Sequence, residues 1–304
     1  MKIQVLGSAA GGGFPQWNCN CVNCDGVRKG SINALPRTQS SIAITENEED
    51  WVLVNASPDL LAQIKSVPAL QPARAVRDSG IVAVLLMDAQ IDHVTGLLML
   101  RERNAPLPLY ATEQVMADLT DGLNIGRVLA HYCGLDWRPV MPGQGDFQIA
   151  PLQRTRFTAI ALESKAPPYS PHRNSPHPGD NIGLKISDTR SGRSAFYAPG
   201  LGALTPAVND AMASADVLLV DGTFWTSDEM IRLGLSGKTA AEMGHLPQSG
   251  PAGMIALLDR MPASRKILIH INNSNPILRE DGPERALLRE HGIEVAYDGM
   301  EISL

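Results

Sequence analysis

Apolar residues along the chain gather into short runs bounded by turn residues, with stretches of helical spacing between them. Lys2 to Leu6 reads as a first strand that enters the Gly-rich turn Gly7 to Pro15. Ser40 to Thr45 and Trp51 to Asn55 read as two strands joined by the acidic turn Glu46 to Asp50, a hairpin pattern. Pro58 to Ser66 fits a helix with Ser57 as its N-cap and Pro58 at its first position. Ile81 to Met87 is continuously apolar, as expected of a strand buried on both faces, and a helical pattern from Leu97 to Arg103 follows it. Ala215 to Val220 repeats the buried-strand pattern, a helix is expected from about Pro251 to Asp259, and a strand from Lys266 ends at His270. The alternation predicts an α/β fold without a long linker or internal repeat.

The 304 residues suffice for one large α/β domain or two smaller ones, and a 44% hydrophobic share with 19% charged residues describes an ordinary globular chain. A formal net charge of −6 without a basic stripe gives no reason to expect a nucleic-acid partner. No apolar run approaches the ~20 residues that span a bilayer, so no membrane insertion is expected. The start, Met1 to Gly7, lacks the apolar region and cleavage site of a signal peptide, and a cytoplasmic location is expected. A homodimer is compatible with the chain, although no residue pattern specifies one.

The chemistry-bearing residues are unevenly placed. Cys19, Cys21 and Cys24 form a C-x-C-x-x-C cluster in the loop 17–26, and only Cys133 lies elsewhere. In a reducing compartment such a cluster argues for a metal over a disulfide, and three thiolates need a fourth ligand to close a tetrahedron. A redox thiol pair or small buried thiols are the alternatives. The Gly-rich turn lacks the G-x-G-x-x-G spacing of a dinucleotide site, and Phe14-Pro15 stands where a helix should open. Strand ends present Asp92 with His93, then Asp221, and then His270, and ends of buried strands are where α/β proteins place catalytic groups. Taken alone, Asp92 and His93 read equally well as a helix cap and an idle first-turn histidine.

These motifs together resemble the metallo-β-lactamase fold superfamily, which implies a four-layer αβ/βα sandwich spanning 1–304 as a single domain. The superfamily's H-x-H-x-D-H signature falls on Asp88, Gln90, Asp92 and His93, its late histidine on His270, and the additional histidine of ribonuclease Z relatives on His245. Phosphodiesterases of phosphonate degradation add a structural zinc on C-x-C-x-x-C and a residue three beyond the late histidine. This implies Asn273 as the fourth ligand to Cys19, Cys21 and Cys24. Asp88 and Gln90 replace two first-site histidines, and Pro199 stands near the expected bridging aspartate. His172 and His177, in the Pro-rich stretch Pro167 to Pro178, are both candidates for the middle-loop histidine. One metal site is thus dismantled, leaving Asp92, His93 and His270.

Two imidazoles and a carboxylate are the ligand set of a facial triad, suited to non-haem Fe(II) oxygenases, while three protein ligands also serve mononuclear zinc. Gly11 to Cys19, Thr38 to Ser41, Asp92 to Leu97, Asp221 to Trp225 and Met243 to Pro247, in this order, resemble the pyrroloquinoline quinone (PQQ) biosynthesis protein B family. The resemblance implies a role in making PQQ from a glutamate and a tyrosine of a precursor peptide, with the precursor or PQQ itself as small-molecule partner. It leads to iron-dependent hydroxylation of the tyrosine-derived ring. A carrier moving PQQ or its precursor towards the periplasm and a mononuclear zinc hydrolase are the alternatives. His245 is then an acid/base or orienting group, and Asp221 a support or ligand of the metal. Asp88 and Gln90 are then hydrogen-bonding groups for a polar quinone, and Lys165, His172 and Arg173 possible partners for its carboxylates or solvated loop residues. Cys133 reads as a small buried hydrophobe, Met99 as core, and His291 as the last turn of a helix closed by Gly292.

Overall fold

In the computed structural model, which describes residues 1–304, the apolar runs assemble into two mixed sheets of seven strands each. The first half of the chain supplies β1 (Lys2–Gly7), β2 (Ser41–Thr45), β3 (Trp51–Val54), β4 (Ile81–Leu85), β5 (Leu107–Ala111) and β6 (Leu135–Pro139). The second half supplies β7 (Asp146–Phe147), β8 (Thr155–Ala161), β9 (Ile182–Asp188), β10 (Ser194–Ala198), β11 (Val217–Asp221), β12 (Arg265–Ile269) and β13 (Ile293–Val295). β14 (Glu301–Ser303) returns to the first sheet beside β1, so the orders are β14-β1-β2-β3-β4-β5-β6 and β13-β12-β11-β10-β9-β8-β7. In the first sheet β3 to β6 run parallel, and in the second β10 to β13 do.

Both faces of these strands are buried, which explains their unbroken apolar sequences. Ile3, Ile42, Val52 and Leu85 meet Phe157, Leu184, Leu219 and Ile267 in the core between the sheets. The outer faces are covered by helices α1 (Val22–Lys29), α2 (Leu60–Ser66), α3 (Ile91–Val94), α4 (Glu113–Ala117), α5 (Ile125–Leu129), α6 (Pro206–Ala213), α7 (Glu229–Arg232), α8 (Met254–Leu258) and α9 (Pro283–Glu290). Leu60, Val94, Val115 and Leu129 bring α2 to α5 onto the first sheet. Cys24, Met212, Leu258 and Leu288 bring α1, α6, α8 and α9 onto the second. The result is the αβ/βα sandwich expected, and each side chain buried this way contributes roughly 1.5–3 kcal/mol.

Some boundaries differ from the pattern in the sequence. α2 begins at Leu60 because the Ser57 hydroxyl accepts the Asp59 N–H, at 3.2 Å, instead of capping a helix from Pro58. The helix expected from Leu97 begins at Ile91 as α3 and continues as a 3₁₀ turn over Thr95–Leu100. Two backbone bonds fix that early start: Ala56 N–H donates to the His93 carbonyl at 2.7 Å, and Gly96 N–H donates to the Ala56 carbonyl at 2.9 Å. A Cβ at Gly96 would stand 2.1 Å from the Ser57 carbonyl oxygen, so only glycine allows the approach. Asp92 and His93 are therefore carried by a helical first turn and not by the strand end itself. His291 is the C-cap residue of α9, one step past its last turn, and faces Asp259 at 2.9 Å. Cys133 is half-buried against the outer core of the first sheet.

At the edge remote from the ends of β4 and β11, Glu46 straps the two sheets together. Its carboxylate accepts the N–H groups of Gln153, Arg154 and Thr155 at 2.7, 2.9 and 3.0 Å, and the Thr155 hydroxyl at 3.0 Å. Partial burial pulls this carboxyl upward, but the three N–H donors together with the hydroxyl outweigh it and hold it below its ordinary value. A lowered folded value means that the stabilisation is full above the unfolded carboxylate pKa, about 4.3, and disappears as pH falls through the folded value. Glu46→Gln is expected to cost about 1 kcal/mol at pH 7, at the low end because the side chain is partly solvated. Urea melts of the two proteins should converge as the pH is lowered below 4.3; a gap that persists unchanged there would contradict the strap.

Candidate metal centres

The parallel strands of both sheets deliver their C-terminal ends to one cleft, the usual location of ligand sites in open α/β sheets. After β4 come Asp88 and, on α3, Asp92 and His93; β11 ends on Asp221 and is followed by Thr223; after β12 comes His270, which adopts a left-handed backbone (φ 61°). Asp92, His93 and His270 each bring one ligand atom to within 4.8 Å of the other two. Asp92 Oδ2 lies 3.8 Å from His93 Nε2 and 3.5 Å from His270 Nε2.

The outer nitrogen of each ring sets its tautomer. His93 Nδ1 faces both Asp88 oxygens at 2.7 and 2.9 Å, leaving Nε2 buried without a hydrogen-bond partner. The Thr223 hydroxyl donates to Asp221 Oδ1 at 2.6 Å and stands 3.0 Å from His270 Nδ1, which can donate to it, so His270 Nε2 is also free. An orphaned buried nitrogen beside a second free imidazole and a carboxylate fits a divalent cation. Burial alone would lower the His93 imidazole, but Asp88 and Asp92 on its two sides push it up to about 9. A cation bound there replaces the proton those carboxylates attract. Burial raises the Asp92 carboxyl, and His93 and His270 override it to hold the group ionised.

Asp221 is fully buried and saturated. Its oxygens accept the Leu201 and Thr223 N–H groups, both at 2.9 Å, the Thr223 hydroxyl, and His245 Nδ1 at 2.7 Å. It therefore orients His245 and Thr223, and no oxygen is left over for a metal. Asp88 is likewise turned onto His93, which gives it a positioning role, and it also lines the cavity. Gln90, half-buried at the start of α3, has its side chain free and lines the cavity. His245 lines it too, with Nε2 unencumbered and its ring stacked 5.6 Å from that of His270.

The Gly-rich turn closes over this centre. A Cβ on Gly11 would come within 3.1 Å of Asp92 Oδ2, so the turn packs directly on a candidate ligand. Gln39 holds it there: its Oε1 accepts the Gly12 N–H at 2.9 Å, while its own N–H and Nε2 donate to Asp59 Oδ2, both at 2.9 Å. Thr38 and Ser8 anchor on Asp298 beneath. The run Thr38 to Ser41 is thus a support for the turn.

Cys19, Cys21 and Cys24 also converge within 4.8 Å of one another, with Cys24 in the first turn of α1. The Asn273 side-chain amide reaches Cys19, Cys24 and Cys21 at 3.0, 3.3 and 3.7 Å. As placed, its Nδ2 faces the sulfurs, and ligation through Oδ1 requires the amide to turn over. Burial raises the Cys21 thiol to about 11, whereas N–H and side-chain donors hold Cys19 below its ordinary value against burial. Asn23 Nδ2 donates to the carbonyls of Asn273 and Asn275 at 3.2 and 3.0 Å, and Asn275 Nδ2 donates to those of Gly222 and Thr223 at 2.9 and 3.2 Å. The cysteine loop is therefore stitched to the turn that carries Thr223.

The cavity has a volume of 990 Å³, and Lys165, Arg173 and Lys238 line it alongside His177. His172 does not line it and turns instead to Asp180 at 2.8 Å. Thr223, Gly11 and Lys238 carried no sequence signal of their own, although Thr223 and Gly11 lie inside runs that did.

Residues 50–271 match the family model described as a beta-lactamase superfamily domain. Along its whole length the chain is 65% identical to coenzyme PQQ synthesis protein B of Cupriavidus necator, covering 99% of it, and 63% identical to that of Azoarcus sp., covering 100%. The crystal structure of Zn(2+)-bound PqqB from Methylobacterium extorquens superposes with a TM-score of 0.90 at 38% identity, each chain fully covered. A diphosphatase of the PhnP family shares the fold at a TM-score of 0.69 and 18% identity, with all of this chain and 97% of that one covered.

Thr223→Val removes the hydroxyl between Asp221 and His270, and a 10–100-fold loss of metal affinity is expected, with a stability cost of about 1–3 kcal/mol. A metal titration that leaves affinity unchanged would contradict this. Cys21→Ser should weaken metal binding at the cysteine cluster and loosen Asn273, lowering activity indirectly; full activity in a Cys21→Ser protein that binds no metal at this cluster would sever the link between loop and cleft.

Proposed function

This chain belongs to the coenzyme PQQ synthesis protein B family on the beta-lactamase superfamily fold, and from that premise we propose that it hydroxylates the tyrosine-derived ring of the Glu-Tyr intermediate of PQQ biosynthesis. The observation that carries the reading is the triad of Asp92, His93 and His270. The neighbouring group of Asp221, His245 and His270 shares His270 with it, and there Asp221 is spent on the Leu201 and Thr223 N–H groups and on His245 Nδ1, so it is not an independent second ligand set of the kind a dinuclear hydrolase needs. Asp88, Gln90 and Pro199 stand where such a set would be, and Asp88 is engaged with His93. Asp92, His93 and His270 would hold Fe(II), and Zn(II) is the competing ion, because the same three ligands suit both. When bound there, Fe(II) supplies the activation of O₂ that ring hydroxylation needs.

The residues of the chain do the remaining work. The cavity takes a ligand of this size, and Lys165, Arg173 and Lys238 answer its carboxylates. Gln90 offers a free amide to the ring oxygens. His245, aimed by Asp221, holds or accepts a proton through Nε2 at the phenolic oxygen of the substrate. In the balanced reaction one atom of O₂ enters a ring C–H bond and the other leaves as water, with two electrons and two protons from an external reductant.

The decisive experiment is anaerobic reconstitution with Fe(II) or Zn(II), followed by oxygen and mass analysis of the candidate intermediate. Gain of one oxygen atom with iron alone is expected. No gain with any metal sinks the hydroxylase reading; turnover of simple phosphodiesters with zinc would replace it with hydrolysis, and tight PQQ binding without turnover with a carrier. His245→Ala should lower turnover by about 10²–10⁴-fold while metal content stays that of the parent. Unchanged turnover would remove His245 from proton handling.

A further inference from the structure

The Pro-rich segment between β8 and β9 carries a further group of metal-type ligands that the reaction above does not use. His172, His177 and Asp180 each bring one ligand atom to within 4.8 Å of the other two. His172 Nε2 stands 2.8 Å from Asp180 Oδ1, and the two imidazole rings meet edge to face with centroids 5.2 Å apart. The His177 N–H donates to Asp180 Oδ2 at 2.8 Å, which fixes the carboxylate between the two histidines. Behind His172, its other nitrogen lies 3.9 Å from Asp118 Oδ1. Asp118 and Asp180 are only 1% and 2% exposed, and Asp118 Oδ1 has no hydrogen-bond partner. Two carboxylates withdrawn from water in one place are costly unless a cation answers them. The adjacent Arg173 does not, since its guanidinium donates to the Ala166 carbonyl.

We propose that His172, His177 and Asp180 form a further divalent-cation site of the zinc type, with Asp118 orienting His172, and that the ion pins this segment beside the cavity. Two imidazoles and one carboxylate suit a borderline cation such as Zn²⁺. Zinc ligands at about 2.0–2.1 Å in a tetrahedron stand roughly 3.3 Å apart, so the observed 2.8 Å between His172 Nε2 and Asp180 Oδ1 needs only a small opening to admit the ion. Binding through Nε2 leaves His172 Nδ1 on the side of Asp118, 3.9 Å from its Oδ1, so a small approach of the two completes the carboxylate–histidine–metal arrangement of many zinc sites. His177 is exposed and lines the cavity, so the site keeps a side open to solvent and exchanges its ion more readily than the cysteine cluster. It shares no residue with the cysteine cluster or with Asp92, His93 and His270.

The test measures metal per chain by plasma mass spectrometry after zinc loading and dialysis, in the parent protein, His177→Gln and His172→Ala, with Arg173→Ala as a control in the same segment. The set is repeated in a His93→Ala background, where the active-site ion is removed. Loss of about one equivalent in His177→Gln and His172→Ala in both backgrounds, with none lost in Arg173→Ala, is expected. Limited proteolysis within residues 164–181 should also quicken several-fold in His177→Gln, and zinc should slow it only in the parent and the Arg173→Ala control. Equal metal content in the parent and His177→Gln, with unchanged cleavage, would overturn the proposal and leave a hydrogen-bonded network without an ion. His177→Gln decides the matter if His172→Ala fails to fold, because His177 is at the surface.

Discussion

Imidazoles are useful at this centre because each has its Nδ1 committed to a buried acceptor. Asp88 takes that of His93, the Thr223 hydroxyl that of His270, and Asp221 that of His245. A neutral imidazole with Nδ1 protonated presents a lone pair at Nε2, so three separate hydrogen bonds turn three bases inward. The acceptors are themselves held, Asp221 by four donors and Thr223 through Asp221. Leaving any of them unpaired would expose a polar atom to an apolar interior, which makes the orientation rigid.

The cysteine loop belongs to this construction. It lies outside the cleft, yet Asn23, Asn273 and Asn275 connect it through buried amide bonds to the carbonyls around Thr223. Asn273 stands three residues past His270, so whatever fixes the three sulfurs also fixes the backbone leaving the late histidine. A thiolate-rich cluster offers little for oxygen or proton chemistry and much for holding a loop, and its position matches that use. Glu46 does comparable work at the far edge of the sheets, where it holds the layers without touching the cleft.

Much of the arrangement was legible in local sequence. Apolar runs gave the buried strands, and strand ends gave Asp92, His93, Asp221 and His270. Resemblance in ordered motifs gave the layers and the triad. What local reading missed is instructive: the helix carrying His93 starts at Ile91, well before Leu97, because Ala56 donates to the His93 carbonyl and accepts from the Gly96 N–H across elements far apart in the chain. Asp88 read as a group for substrate, and its turn onto His93 carried no local signal. The run Thr38 to Ser41 resembled a family signature without a visible task, and its task is to hold the Gly-rich turn against Asp92.

By itself the sequence determined which residue types are available and roughly where each strand ends, because burial on two faces demands apolar runs and metal chemistry demands His, Asp and Cys. Tertiary structure alone decided which nitrogen of each histidine faces the cleft, that Asp221 and Asp88 support other groups, and that His172 joins Asp180 and Asp118 and leaves the main centre to His93 and His270. The physical reason is that a hydrogen bond is made within about 3 Å, between groups 47 residues apart in the chain for Thr223 and His270 and 252 apart for Asn23 and Asn275. No local pattern encodes which of several polar residues will meet at that distance; the packing of the two sheets does.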